Sequence, residues 1–283
     1  MPLQIRTFDS DIEQRIHDNG IEKLQACMRE LELQAELEDR KLIHPPQKRV
    51  AEMIAAQFFS FDALIATLCA SMQWGKTGVM LQLAYTLMTH PALALTDKNL
   101  FVITGMSDNE WREQTKRRLP DVWEKRVFHQ KDLRRTDLQS ELANTTNALI
   151  IIDECHYGAH EGSVISATLE KAGLLSITAL QQRNVRIFQT SATPDHVLAN
   201  AEEWNQSGGP IYHYKCVPEN PPSYVSPKDI MADGRIRPVM DLSSPPAVGI
   251  LRDQMLGYEI PKYHVIRLPI RNAKKRAVCE NIS

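Results

Sequence analysis

A chain of 283 residues with 43% hydrophobic and 24% charged residues has the composition of an ordinary globular protein able to bury a sizeable core, and lacks the bias of a disordered one. No apolar run reaches the ~20 residues that span a bilayer, and Met1 to Asp11 lack a charged-then-apolar leader; the expectation is an intracellular protein with no membrane partner. The formal net charge of −2 excludes a global drive towards nucleic acid, so any such surface is a local patch. Five scattered cysteines (Cys27, Cys69, Cys155, Cys216, Cys279) without Cys-x-x-Cys spacing point to reduced thiols rather than a disulfide framework or a zinc site.

Residues 9–40 place Ile12, Ile16, Ile21, Leu24, Met28, Leu31 and Leu33 at roughly helical spacing, suggesting two short amphipathic helices broken near Asn19-Gly20. They form a helical extension (1–43), either packed on the main domain or serving as a partner-binding arm. His44-Pro45-Pro46 ends it, and Gln47 opens a new helical pattern with Val50, Met53, Ile54 and Phe58. A Gln here offers both a donor and an acceptor to an adenine edge.

Asp62 to Cys69 reads as the first core strand, and Thr77 to Met88 as the helix after it. Between them lies Ala70-Ser71-Met72-Gln73-Trp74-Gly75-Lys76-Thr77, one methyl group away from G-x-x-x-x-G-K-[ST] because Ala70 stands where the pattern has Gly. A strand turning into a helix aims backbone N–H groups and the helix dipole at one point, where a triphosphate can sit. Gly75 allows close approach, Lys76 would neutralise the β- and γ-phosphates of ATP, and Thr77 would hold Mg2+. An ordinary strand–turn–helix with a surface lysine is the competing reading of the loop alone.

Leu100 to Gly105 is the next strand, followed by a basic helix with Trp111, Arg112, Lys116 and Arg117. These residues suit a nucleic-acid backbone, with Trp111 as a stacking element, and equally suit a solvated face. A second basic stretch runs from Lys125-Arg126 to Lys131, Arg134 and Arg135. Ala148 to Ile152 is an uninterrupted apolar run, the mark of a strand buried on both faces of a parallel sheet. It ends in Asp153-Glu154-Cys155-His156: Asp153 is placed for the magnesium shell, Glu154 for the attacking water, and His156 for the γ-phosphate or a later segment. A zinc reading of Cys155, His156 and His160 lacks further ligands.

Val185 to Thr190 is another strand, running into Ser191-Ala192-Thr193, small residues suited to coupling the acidic motif to whatever moves on hydrolysis. Strands alternating with helices give the β-α repeats of an α/β, three-layer αβα domain with a mainly parallel sheet, here 44–240. Residues 205–247 are rich in Pro and Gly and read as a peripheral segment or linker, with a further strand at 264–268 and a helix at 272–279.

Taken in order, these motifs resemble the N-terminal RecA-like domain of superfamily 2 helicases and translocases of the DExH type. Gln47 resembles the upstream adenine-reading Gln, and Ala70 to Thr77 resemble motif I. Thr104-Gly105 with Trp111 to Gln114 fall where motif Ia lies, Asp153 to His156 match motif II, and Ser191 to Thr193 match motif III. Met231 to Pro238 looks like a stretch that follows motif III in restriction-enzyme-like members. The Met72-Gln73 start is similar to helicase-like proteins of phages and large DNA viruses.

The resemblance implies ATP and Mg2+ as cofactors, nucleic acid as partner with DNA favoured over RNA, and a second RecA-like lobe in cis or a partner in trans. No Gln-x-x-Gly-Arg-x-x-Arg pattern occurs in the 283 residues, and 241–283 reads as a linker and the start of such a lobe, so hydrolysis by this chain is expected to be weak. Two other functions fit the same residues: a duplex translocase subunit of a restriction or defence complex, and a catalytically silent nucleotide-binding scaffold. Trp74 departs from the family pattern, a bulky side chain expected beside the phosphate site.

Overall fold

The computed structural model describes residues 11–61, 63–71, 73–90, 95–104, 109–155, 163–192 and 211–220, with 205, 209, 225, 229 and 232; the side chains of 109–111 are excepted. The chain divides into two compact units, Met1–Pro222 and Ser223–Ser283. All the elements below belong to the first. The expected strand at 264–268 and helix at 272–279 lie outside the described residues.

Six strands form one sheet: β1 (Ile65–Cys69), β2 (Leu100–Thr104), β3 (Val127–His129), β4 (Ala148–Asp153), β5 (Val185–Ser191) and β6 (His213–Cys216). Their spatial order is β3-β2-β4-β5-β1-β6, and every pairing is parallel. The helices are α1 (Asp11–Leu37), α2 (Pro45–Ser60), α3 (Lys76–Met88), α4 (Asn109–Arg117), α5 (Thr136–Asn144), α6 (Val164–Lys171) and α7 (Ile177–Gln182).

Strand side chains alternate between two cores, as the two-residue period of a pleated strand demands. Ala66, Leu68, Val102, Leu149, Ile151 and Phe188 pack with α2 and α3 through Ile54, Phe58, Val79, Leu83 and Leu87. Phe101, Ile103, Ile150, Ile152 and Ile187 pack with α5, α6 and α7 through Leu138, Leu142, Ile165, Leu169 and Leu180. The result is a three-layer αβα domain, the P-loop NTPase-like arrangement expected. Each large apolar side chain so buried is worth about 1.5–3 kcal/mol. The helices following β1 and β4 lie on opposite faces, which opens a crevice at the carboxyl ends of the strands between them.

The N-terminal extension differs from expectation. α1 is a single helix running through Asn19-Gly20. A mid-helix Gly costs about 1 kcal/mol, and burial of Leu24 and Met28 in the first core offsets it. Strand β3 lies inside the stretch read only as basic, and β6 lies inside the Pro- and Gly-rich segment. Among the described residues no helix is long and apolar enough to cross a membrane.

A buried polar seam joins the last three strands of the sheet. The Thr67 hydroxyl donates to Gln189 Oε1 at 3.0 Å and lies 2.6 Å from His213 Nε2. Because the hydroxyl proton points to Gln189, the imidazole donates to the Thr67 oxygen. Burial pushes the His213 pKa down from 6.5 to about 4. The unfolded chain therefore binds the extra proton first, and stability rises with pH between about 4 and 6.5. From pH 7.5 to 5, urea unfolding should show a loss of about 2 kcal/mol attributable to this residue. His213→Gln should flatten the pH profile by that amount; superimposable profiles would show that the ring is not buried in its neutral form.

Candidate functional site

The expected loop leaves β1 at Cys69 and enters α3 at Lys76. Gln73 (φ 61°) and Gly75 (φ 96°) both adopt left-handed backbone, which turns the chain sharply enough to reverse it into the helix. Gly75 caps α3 without any side-chain hydrogen bond; its carbonyl accepts from the Gly78 N–H at 3.0 Å, and no capping side chain covers the Lys76 and Thr77 N–H groups. That is the electrostatic setting of an anion site. The Ala70 N–H donates to the Ser191 carbonyl at 3.2 Å, and the Trp74 N–H to the Ser71 carbonyl at 3.2 Å. Met72 lies outside the described residues.

Trp74 is seated in the apolar core of the domain. Its ring is only 8% exposed, belongs to the first core, and donates its indole N–H to the Glu219 carbonyl at 3.1 Å.

Gln47 comes to the same place from α2. It is buried, and its Oε1 accepts from the His44 N–H at 2.8 Å, closing the first turn of the helix. Its amide fills the space that two glycines leave open: a Cβ on Gly75 would sit 1.9 Å from Nε2, and one on Gly78 2.3 Å from Oε1. The expected adenine-reading amide is therefore at the loop, with its acceptor already committed to the helix cap.

From the other side, β4 delivers the two acids. Asp153, 6% exposed, accepts on Oδ1 from the Thr190 hydroxyl at 2.7 Å and from the Glu154 N–H at 3.1 Å. Glu154 has φ 51°, a conformation costing a non-Gly residue on the order of 1 kcal/mol or more. Its Oε1 lies 3.4 Å from Lys76 Nζ, both side chains largely buried. β5 separates β1 from β4 in the sheet, yet the two strand ends meet through this ion pair.

The Thr190 and Glu154 bonds both fall on Oδ1, so Oδ2 suits a cation. Thr77 stands in the first turn of α3, and a magnesium ion that takes one carboxylate, a hydroxyl, waters and phosphate oxygens fits these donors. Burial pushes the Cys155 thiol up to about 12, so it is protonated here. His156, His160 and Thr193 lie outside the described residues.

Sequence reasoning missed Thr190. The Thr190 hydroxyl, one residue before Ser191-Ala192-Thr193, bonds Asp153, while the carbonyl of buried Ser191 accepts from the Ala70 N–H and Ala192 is half-buried. The signal is strand register: Ile152 pairs with Gln189, which sets Thr190 beside Asp153.

The basic residues of α4 are spoken for in part. Arg112 lies 3.3 Å from Glu113 and 3.5 Å from Asp132, Lys116 lies 3.5 Å from Glu113 and 3.6 Å from Glu124, and Arg117 is exposed. Arg126, from the second basic stretch, pairs with Glu141 at 2.9 Å and stacks on Phe101 and Phe128. A separate cavity of about 580 Å³ between α1 and residues 121–125 is lined by none of the expected site residues.

No protein-family model matches the chain. Over 255 residues it is 26% identical to an uncharacterized protein of Acanthamoeba polyphaga mimivirus, a match covering 83% of this chain and 60% of that protein. The chain thus spans about 60% of the length of the curated relative it matches. A solved structure of C. elegans PCH-2 is 16% identical with a TM-score of 0.31, covering 76% of this chain and 47% of that one, a likeness too low to carry a functional argument.

The seat of Gln47 gives a test with a change of sign. Gly78→Ala inside a helix ordinarily stabilises by about 1 kcal/mol. Here the new methyl group should meet Gln47 Oε1, making the substitution neutral or destabilising in the native background and stabilising in a Gln47→Ala background. Equal effects in both backgrounds, measured by urea unfolding, would remove Gln47 from this position.

Proposed function

We propose that the chain is the ATP-binding domain of a DExH-type superfamily 2 helicase or translocase, coupling Mg-ATP hydrolysis to movement on nucleic acid, DNA in preference to RNA. The observation that carries this reading is the meeting of Lys76 and Glu154 at 3.4 Å, from a phosphate-loop geometry on one side and an acidic strand end on the other. The order of the motifs along the chain supports it.

In this reading the first-turn N–H groups of α3 and Lys76 bind the β- and γ-phosphates. Thr77 and Asp153 would hold Mg2+, which when bound would supply charge neutralisation to the phosphates. Thr190 fixes the Asp153 carboxylate through Oδ1. Lys76 exchanges its carboxylate partner for phosphate oxygens, which leaves the Glu154 carboxylate to orient the attacking water and take its proton. Gln47 contributes its amide N–H groups towards the base. Arg112, Lys116 and Arg117 contact the nucleic-acid backbone, the first two by exchanging carboxylate partners for phosphates. An arginine from a second lobe or a partner would raise turnover by ~10³–10⁵.

Two substitutions separate binding from chemistry. Lys76→Ala should weaken Mg-ATP binding at least about tenfold by calorimetry and, by removing the cation beside the largely buried Glu154 carboxylate, should also lower the unfolding midpoint. Glu154→Gln should bind Mg-ATP at least as tightly as the native protein, because no carboxylate competes for Lys76, and should hydrolyse it ~10²–10⁴-fold more slowly. Native protein that binds no nucleotide in the presence of magnesium would overturn the reading.

A further inference from the structure

Trp74 has no part in the phosphate chemistry, yet it is the largest side chain of the loop and the most firmly placed. It stands between two residues with left-handed backbone, Gln73 and Gly75, so a small change in either dihedral swings the ring through a large arc. The ring is seated in the same apolar cluster as Cys216 at the end of β6 and Met80 of α3. Its indole N–H reaches Glu219, just beyond β6, on a backbone carbonyl.

Among the described residues, β6 is the edge strand of the sheet and pairs with β1 alone. The segment after it is open to solvent, with Val217 62% exposed and Glu219 and Asn220 exposed. An indole from the phosphate loop thus holds down a surface segment that would otherwise be free to lift. From there the chain continues into the second compact unit at Ser223.

We infer that Trp74 is a positioning residue that ties phosphate occupancy of the loop to the 217–220 segment. The inference rests on the nucleotide-binding reading for its ligand and on the loop geometry for its mechanism. Entry of a phosphate group fixes the backbone at residues 73–75, which fixes the indole, which holds the Glu219 carbonyl. The coupling is reciprocal: whatever pulls on or ties down residues 217–220 changes nucleotide affinity by the same factor. A substituent with the small side chains usual in such a loop would bind phosphate without sensing this segment.

Trp74→Phe keeps an aromatic ring in the core and removes the N–H donor. Hydrogen–deuterium exchange of the full chain, with and without Mg-ATP, reads both ends of the link. In the native protein, nucleotide should slow exchange at 73–78 and at 217–220 together. In the Phe variant, exchange at 217–220 should be faster without nucleotide and unresponsive to it, and ATP affinity should fall roughly three- to tenfold, the equivalent of one neutral hydrogen bond.

Native protein that binds nucleotide with no change at 217–220 overturns the inference, and this holds even if the variant does not fold. A folded variant whose 217–220 exchange matches the native protein without nucleotide also overturns it. Native protein that binds no nucleotide overturns the functional reading, and the nucleotide-free comparison of the two proteins then decides whether the loop and the segment are tied.

Discussion

The ion pair between Lys76 and Glu154 depends on almost everything else in the domain. It needs an all-parallel sheet, so that β1 and β4 end at the same edge with β5 between them. It needs a left-handed residue on each side, Gly75 to start α3 and Glu154 to turn the acid back after β4. A largely buried Lys–Glu pair contributes little net stability, because desolvation offsets most of the Coulomb attraction. Under the proposed function the pair is a site that exchanges one anion for another: the lysine is largely buried and held beside the carboxylate that the reaction would need released.

The loop is fixed from three directions, and each contact comes from a distant part of the chain. Ser191 at the end of β5 holds Ala70, Gln47 of α2 lies against Gly75 and Gly78, and Glu219 after β6 holds Trp74. Such support is what turns a flexible Gly-containing turn into a preformed cradle, since ordering it on binding would subtract from affinity. Ala70 in place of the usual Gly fits the same picture. It is buried at the strand end and its N–H is used in the sheet, so no unusual backbone is asked of it.

How much of this was legible in the residues depends on where each interaction partner lies. β4 was plain, because a strand covered on both faces must be apolar throughout, and Ala148 to Ile152 are. The meeting of Lys76 with Glu154 was legible because Gly75-Lys76 opens a helix after an apolar strand and Asp153-Glu154 ends another. β3 was hidden: three residues long, it is flanked by cations, and only the fold shows that the Arg126 guanidinium caps the Phe101 and Phe128 rings. β6 was hidden because it lies in a Pro- and Gly-rich segment, and only the fold brings the His213 imidazole to Thr67, which in turn bonds Gln189. Thr190 and Trp74 were out of reach for the same reason, since their roles are set by strand register and by a carbonyl far along the chain. α1 was misread at Gly20, where packing of Leu24 and Met28 overrides local propensity.

The central claim is that the loop and the end of β4 form one magnesium–nucleotide site. The most direct measurement is the affinity for ATP with and without Mg2+, by calorimetry, in the native protein and in Asp153→Asn. The expected result is tighter binding with magnesium by about tenfold or more in the native protein, and loss of that enhancement in the variant with magnesium-free binding retained. The same magnesium enhancement in both proteins would contradict it.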